Sequence, residues 1–174
     1  LRNQFEDFYA VQQVSSEETV VPTRGSDWFD NGAWIELHRQ GWTPTSVVGL
    51  REVNAIWNQM YAGVARANIV LEALSGDVNV PGKAAIVAEV RTLRAMFYLN
   101  LMDMYGGIPI ATDTKVENRE AKTRAEVFAF IETELKAARA DLPKTWPGEY
   151  GRVTQGAADA MLASLYINAQ VYTG

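Results

Sequence analysis

The 174-residue sequence lacks cysteine altogether and contains one histidine, His38. Without cysteine the chain can form no disulfide, no thiolate metal site and no thiol nucleophile. A single histidine is too few for a two-histidine metal site and disfavours a histidine proton relay. These absences argue against redox, thiolate-metal and histidine proton-relay chemistry, and we expect no metal and no cofactor.

Basic residues and long apolar runs are also scarce. Sixteen lysines and arginines against 21 aspartates and glutamates give a net charge of −5. This balance disfavours nucleic acid and anionic membranes as partners, because both require a basic surface. No apolar run reaches the roughly 18 residues of a transmembrane helix. The content of 48% apolar and 21% charged residues is typical of a folded globular chain.

Apolar residues recur with helical spacing through the last two-thirds of the chain. Stripes at steps of three and four predict four long helices, at about 53–74, 81–105, 123–142 and 154–173. Pro81 suits the first turn of the second helix, and Thr154 can cap the fourth. Thr123 and Glu126 fit a capping box before the third. Alanines on the stripes let helices approach closely. The pattern predicts an all-α fold of tetratricopeptide-like stacked helix pairs.

The first third of the chain, residues 1–52, has a different character. It carries four basic and eight acidic residues, and only residues 3–14 predict a helix. Residues 15–50 contain four glycines and two prolines without a sustained period, which predicts a long ordered loop. We expect one irregular aromatic and acidic region at 1–52, followed by the four helices at 53–174.

Tryptophan is concentrated in this loop, where three of the five indoles lie at positions 28, 34 and 42. A pyranose stacks its apolar face on an indole, and its hydroxyls need donors and acceptors at its edge. The candidate ligand-binding residues are Arg24, Asp27, Trp28, Asp30 and Trp34. The alternative is that the tryptophans only anchor the loop to the helices.

Other interpretations of the polar residues are weaker. Glycosidases use two carboxylates about 5 to 10 Å apart, and Asp27 and Asp30 could form such a pair, as almost any aspartate-rich loop could. The same aspartates with Asn31 could bind calcium, although the EF-hand spacing is absent. We expect Arg91 and Arg94 to lie on a solvated or ion-paired helix face, where such charges contribute little individually.

Several segments together resemble the SusD/RagB family. Residues 57–74, which include Arg66-Ala67-Asn68, resemble its "W…Y…I…AN" helix. Residues 88–98 and Tyr105-Gly106-Gly107-Ile108-Pro109 resemble its "AE…RA…Y" helix and "YGG-(I/V)-P" stop. Residues 123–143 match the next helix, and Gly151-Arg152-Val153-Thr154 begins a match to "GR(V/A)T…AA…LLA…Y". Residues 18–42 look like a subgroup that has an Arg-Gly-x-Asp-Trp loop.

The resemblance implies a non-catalytic surface lipoprotein of the Gram-negative outer membrane. Family members capture glycans, or in some cases peptides, and deliver them to a TonB-dependent transporter of the SusC type. It also implies that the chain is the N-terminal helical portion of a longer protein. Contact with the membrane is then expected only through a lipid anchor upstream of Leu1. A peptide ligand and a helical protein-interaction scaffold remain the alternatives.

Overall fold

The structure, a computed structural model, describes residues 2–16 and 18–174, with side chains from residue 7 onward. Its seven α-helices are α1 (Arg2–Ser15), α2 (Ala33–His38), α3 (Asn54–Ala73), α4 (Lys83–Tyr105), α5 (Arg124–Asp141), α6 (Gln155–Ile167) and α7 (Ala169–Thr173). Two short strands, β1 (Ile108–Pro109) and β2 (Ala121–Lys122), pair antiparallel with Ile108 opposite Lys122. The chain divides into two compact units, residues 1–60 and 61–174, so the boundary falls inside α3.

In the first unit, α1 packs against α2 and against a π-helical turn, Gly49–Val53. The core side chains are Val11, Val14, Ala33, Leu37, Val48, Ile56 and Met60. The helix predicted at 3–14 is confirmed as α1. Among the described residues of the predicted loop 15–50, most are irregular, but α2 and a 3-10 turn at Asp30–Gly32 interrupt the loop, and helical backbone resumes at Val47, before its predicted end. With only six residues, α2 is too short for a helical period to be visible in the sequence.

The second unit is a stack of helices in which α5 packs against α4, α6 and α7. Its core includes Leu101, Met102, Ile131, Leu135 and Leu165. Small side chains allow close contacts between helices, as Ala88, Ala138 and Ala158 form one cluster with Leu142. Gly63 likewise admits the Phe97 ring, which lies 2.5 Å from where a Cβ atom would be.

The structure confirms the predicted helices, with corrections at their ends. The second helix begins at Lys83, and Pro81 belongs to the preceding turn, which Gly82 closes at φ 70°. The fourth predicted helix is divided at Asn168 into α6 and α7. The capping box before α5 is complete, whereas the Thr154 side chain makes no capping hydrogen bond to α6.

Candidate ligand-binding loop

The candidate site residues lie on one loop of the first unit, at positions 24–34. Arg24 and Asp27 exchange two backbone hydrogen bonds, of 3.0 and 2.9 Å, and so close a tight turn. The next residues have left-handed backbone conformations, with φ of 58° at Trp28, 41° at Asp30 and 55° at Asn31. Non-glycine residues rarely adopt this conformation unless their surroundings impose it, and such strain is concentrated at functional sites.

Trp28 and Trp34, here called the aromatic pair, meet edge to face. Their ring centroids are 6.2 Å apart and their planes are inclined by 61°. The Trp28 side chain is 58% exposed, and the neighbouring Phe29 is 49% exposed. Trp34 is half-buried at the start of α2. An indole that is exposed to this extent presents apolar surface that a ligand can cover.

Asp30 fixes Trp34, the more buried member of the aromatic pair. Its Oδ2 accepts a hydrogen bond from Trp34 Nε1 at 2.5 Å, and its Oδ1 lies 3.9 Å from Arg51 Nη1. Arg51 in turn contacts Glu52 Oε1 at 2.6 Å. The approach of Arg51 to Asp30 was not predicted, because nothing in the local sequence connects the π-helical turn to the loop.

The structure therefore brings Trp28, Trp34 and Asp30 into contact and places Arg24 and Asp27 in the adjoining turn. Arg24 and Asp27 are exposed, and neither side chain has a hydrogen bond or ion pair within the part of the chain that the structure describes. Their donors and acceptors are therefore available to a ligand, and the binding role of the five residues remains a prediction.

The second unit contains a buried ionic network, which corrects the expectation for Arg94. Arg94 is buried and donates from Nη2 to Glu134 Oε2 at 2.6 Å and from Nη1 to Asn68 Oδ1 at 2.7 Å. The partly buried Arg91 donates to Glu134 Oε1 at 2.7 Å. Burial alone would raise the pKa of Glu134, but the hydrogen bonds from Arg91 and Arg94 hold that pKa below its ordinary value.

The same network fixes the connector between α4 and α5. Asn68 donates to the carbonyls of Ala111 and Asp113 at 3.0 and 2.9 Å. The Tyr98 hydroxyl donates to the Ala111 carbonyl and accepts from its N–H, and Tyr61 donates to Pro109. These side chains satisfy backbone groups that would otherwise be costly to bury.

A second cluster joins the turn before α6 to α4. Arg152 donates from Nε and Nη2 to Glu89, with its shortest contact at 2.6 Å, and Val153 N–H donates to the same carboxylate at 3.0 Å. The Arg152 guanidinium stacks on the Trp146 ring, 3.6 Å from its centroid. Burial raises the pKa of Glu89, but the hydrogen bonds from Arg152 and Val153 lower it by more, so the pKa lies below its ordinary value.

The described residues of the second unit line at least two open clefts. One, of about 300 Å³, is mainly apolar and is lined by Tyr61, Val64, Ile69 and Val116, among others. The other, of about 370 Å³, exposes parts of the ionic network. Among the described residues, no cluster of three or more histidine, aspartate or glutamate side chains could hold a metal ion. None of the described helices is long and apolar enough to span a bilayer.

A family model described as "Starch-binding associating with outer membrane" (SusD-like) matches residues 5–167. The chain belongs to this SusD-like family. The resemblance seen in the sequence motifs is thus confirmed. The residues of those motifs also make the internal contacts described above. Arg94 donates to Asn68, and Arg152 donates to Glu89.

Curated relatives of this SusD-like chain are much longer than it is. The chain is 26% identical over 147 residues to the starch-binding protein SusD of Bacteroides thetaiotaomicron. The aligned segment covers 84% of the chain and 26% of SusD. It is 29% identical over 183 residues to a SusD-like protein of Bacteroides ovatus. That alignment covers 92% of the chain and 33% of the relative. It therefore spans about a quarter to a third of these relatives.

Solved structures share the fold. A laminarin binding SusD-like protein superposes with a TM-score of 0.72 at 24% identity, covering 97% of this chain and 40% of that one. A SusD-like protein from Bacteroides fragilis gives a TM-score of 0.78 at 22% identity, covering 98% and 34%. A structure with xylogluco-oligosaccharide gives 0.74 at 23% identity, covering 92% and 31%. The all-α, tetratricopeptide-like architecture predicted from the sequence is confirmed.

Proposed function

We propose that the protein captures a glycan at the cell surface, without catalysis, and delivers it to a SusC-type TonB-dependent transporter in the outer membrane. The observation that carries the proposal is the exposed Trp28 indole, which stands in contact with Trp34 on a loop lined by polar side chains. Membership of a family described as starch-binding and associated with the outer membrane supports both the ligand class and the location.

The arrangement suits a sugar. The Trp28 ring offers an apolar face for stacking, and the adjoining turn carries the exposed side chains of Arg24 and Asp27, a donor and an acceptor for hydroxyl groups. Asp30 contributes by holding the Trp34 indole. The names of relatives mention starch, laminarin and a xylogluco-oligosaccharide, so α- and β-linked glucans are the ligands to examine first.

The exposure of Trp28 favours ligand capture over a purely structural role for this loop. Had both members of the aromatic pair been buried, anchoring of the loop would have been the better explanation. Exposed apolar side chains also occur on α6 and α7, where Ile167 and Val171 are open to solvent. That face is consistent with a protein partner in addition to the glycan.

Isothermal titration of the full gene product that carries this chain tests the proposal. The panel contains malto-, laminari- and xylogluco-oligosaccharides and, as the competing class, peptides of mixed sequence. We expect saturable binding of at least one oligosaccharide and no change in its length on prolonged incubation. Firm binding of peptides with no binding of any glycan would reject the sugar ligand. Hydrolysis that Asp27→Asn or Asp30→Asn abolishes would reject the non-catalytic role.

A further inference from the structure

Arg51 connects the candidate binding loop to a buried carboxylate. Its Nη1 lies 3.9 Å from Asp30 Oδ1, and its Nη2 lies 2.6 Å from Glu52 Oε1. One guanidinium thus faces two acidic groups, one on the loop and one on the π-helical turn that leads into α3. Arginine suits such a bridge because its planar fork presents several donors in fixed directions.

The Asp30 carboxylate is held from two sides. Trp34 Nε1 donates to one of its oxygens, while Arg51 approaches the other. The Asp30 backbone is left-handed at φ 41°, a conformation that an aspartate keeps only when its contacts favour it. Asp30 thus links the Arg51 guanidinium to the Trp34 indole.

The other end of the bridge is fixed. Glu52 is only 5% exposed and contacts Arg51 through Oε1. The turn that carries it packs tightly, since a Cβ atom at Gly49 would lie 2.0 Å from the Thr43 carbonyl oxygen. Burial raises the pKa of Glu52 and the charge of Arg51 opposes that rise. π-Helical turns occur frequently at functional sites.

We propose that Arg51 is a positioning residue: it holds the Asp30 carboxylate against the Trp34 indole and so sets the angle at which the aromatic pair meets a ligand. The effect on ligand affinity rests on the proposed function, whereas the effect on the geometry of the indoles does not. Arg51 itself needs no contact with the glycan.

The test compares Arg51→Gln and Arg51→Lys with Arg39→Gln, which alters another exposed arginine of the same unit. The first measurement is the circular dichroism signal that arises from coupling of two indoles, assigned with Trp28→Phe and Trp34→Phe. We expect Arg51→Gln to reduce this signal strongly, Arg51→Lys to reduce it less because one ammonium cannot reproduce both contacts, and Arg39→Gln to leave it unchanged. Urea unfolding of each variant identifies any that fail to fold.

The second measurement is the dissociation constant for the best oligosaccharide of the panel. Because the ion pair is half-exposed, we expect Arg51→Gln to weaken binding about two- to fivefold, and Arg51→Lys to weaken it less. An unchanged indole signal in folded Arg51→Gln overturns the proposal. If Arg51→Gln does not fold, the indole signal of the wild-type protein is measured in about 1 M salt instead. Charges farther apart than about 3 Å are screened under that condition. An indole signal that salt does not alter then overturns it.

The two proposals can fail separately. Absence of oligosaccharide binding by the wild-type protein rejects the proposed function, while the indole signal still decides the role of Arg51. Glycan binding that depends on Trp28, together with an indole signal that Arg51→Gln does not alter, supports the function and rejects the positioning role.

Discussion

Arg94 on α4 donates to Glu134 on α5 at 2.6 Å, and both side chains are more than 90% buried. Such a pair offers little net gain over a well-packed apolar contact. Removing Glu134 would leave the Arg94 charge buried without a carboxylate, and removing Arg94 would leave Glu134 with only the partly buried Arg91 as its ion partner. The contact therefore ties the two helices together and makes either residue costly to replace.

Replacing Arg94 with alanine should lower the free energy of unfolding by about 3 kcal/mol, the lower end of the typical cost of breaking a buried pair, because Arg91 still faces Glu134. Lys136→Ala is the matched control, because Lys136 pairs with Glu132 at 2.7 Å but is 59% exposed. We expect that control to lose less than about 1 kcal/mol. Urea unfolding measures both variants, and equal losses would show that the Arg94 pair is not buried as described.

Glu134 should make stability depend on pH. Its pKa is lower in the folded chain than the ordinary value of 4.5, so its contribution is complete above that value and is lost as the pH falls through the folded pKa. The difference in unfolding free energy between wild type and Glu134→Gln should be large at neutral pH and shrink as the pH falls below 4.5 and through the lower pKa of the folded chain.

The exposed Glu120→Gln is the control for this pH series. Because this side chain is exposed, its replacement should change the free energy of unfolding by less than about 0.5 kcal/mol. If the difference in unfolding free energy between wild type and Glu134→Gln stays constant across the pH series, Glu134 has no depressed pKa in the folded chain.

Two threonines at helix starts differ in what their side chains do. Thr123 accepts from Glu126 N–H at 3.2 Å in the capping box, whereas the Thr154 side chain makes no capping bond. Thr123→Ala should cost about 1 kcal/mol and Thr154→Ala distinctly less, as judged by urea unfolding. The reverse order would contradict the cap assignments.

Gly63 and Gly156 are both helical glycines with different surroundings. A methyl group at Gly63 would meet the buried Phe97 ring at 2.5 Å, but at Gly156 it would find its nearest neighbour, Thr154 Oγ1, at 3.8 Å. Gly63→Ala should destabilise the chain by about 1 to 3 kcal/mol through overpacking. Gly156→Ala should be neutral or stabilise it by up to about 1 kcal/mol. Thermal or urea unfolding distinguishes the two, and a neutral Gly63→Ala would show that the contact between α3 and α4 is loose.

The long helices were predictable because a helix with one buried face repeats its apolar residues every three or four positions, as α3, α4 and α5 do. The capping box was visible for a similar reason, since it depends on residues only three apart. The break at Asn168 was not visible, because the apolar stripe of α6 continues across it into α7.

The site was only partly predictable. The composition of residues 24–34 indicated an aromatic and acidic loop, but not that Asp30 bonds to Trp34. The burial of Arg94 and the approach of Arg51 to Asp30 depend on residues far apart in sequence, and a single sequence carries no signal for such pairs. Arg91 and Arg94 look alike on one helix, yet Arg94 is buried and Arg91 is partly exposed.

In the proposed function, the Trp28 indole stacks against the ligand. Isothermal titration of the full gene product with its best oligosaccharide, comparing wild type with Trp28→Ala and Trp42→Phe, tests it most directly. Loss of an exposed stacking indole should weaken binding about tenfold or more, while Trp42→Phe, outside the aromatic pair, should bind within about twofold of wild type. Binding that Trp28→Ala leaves unchanged would contradict the account.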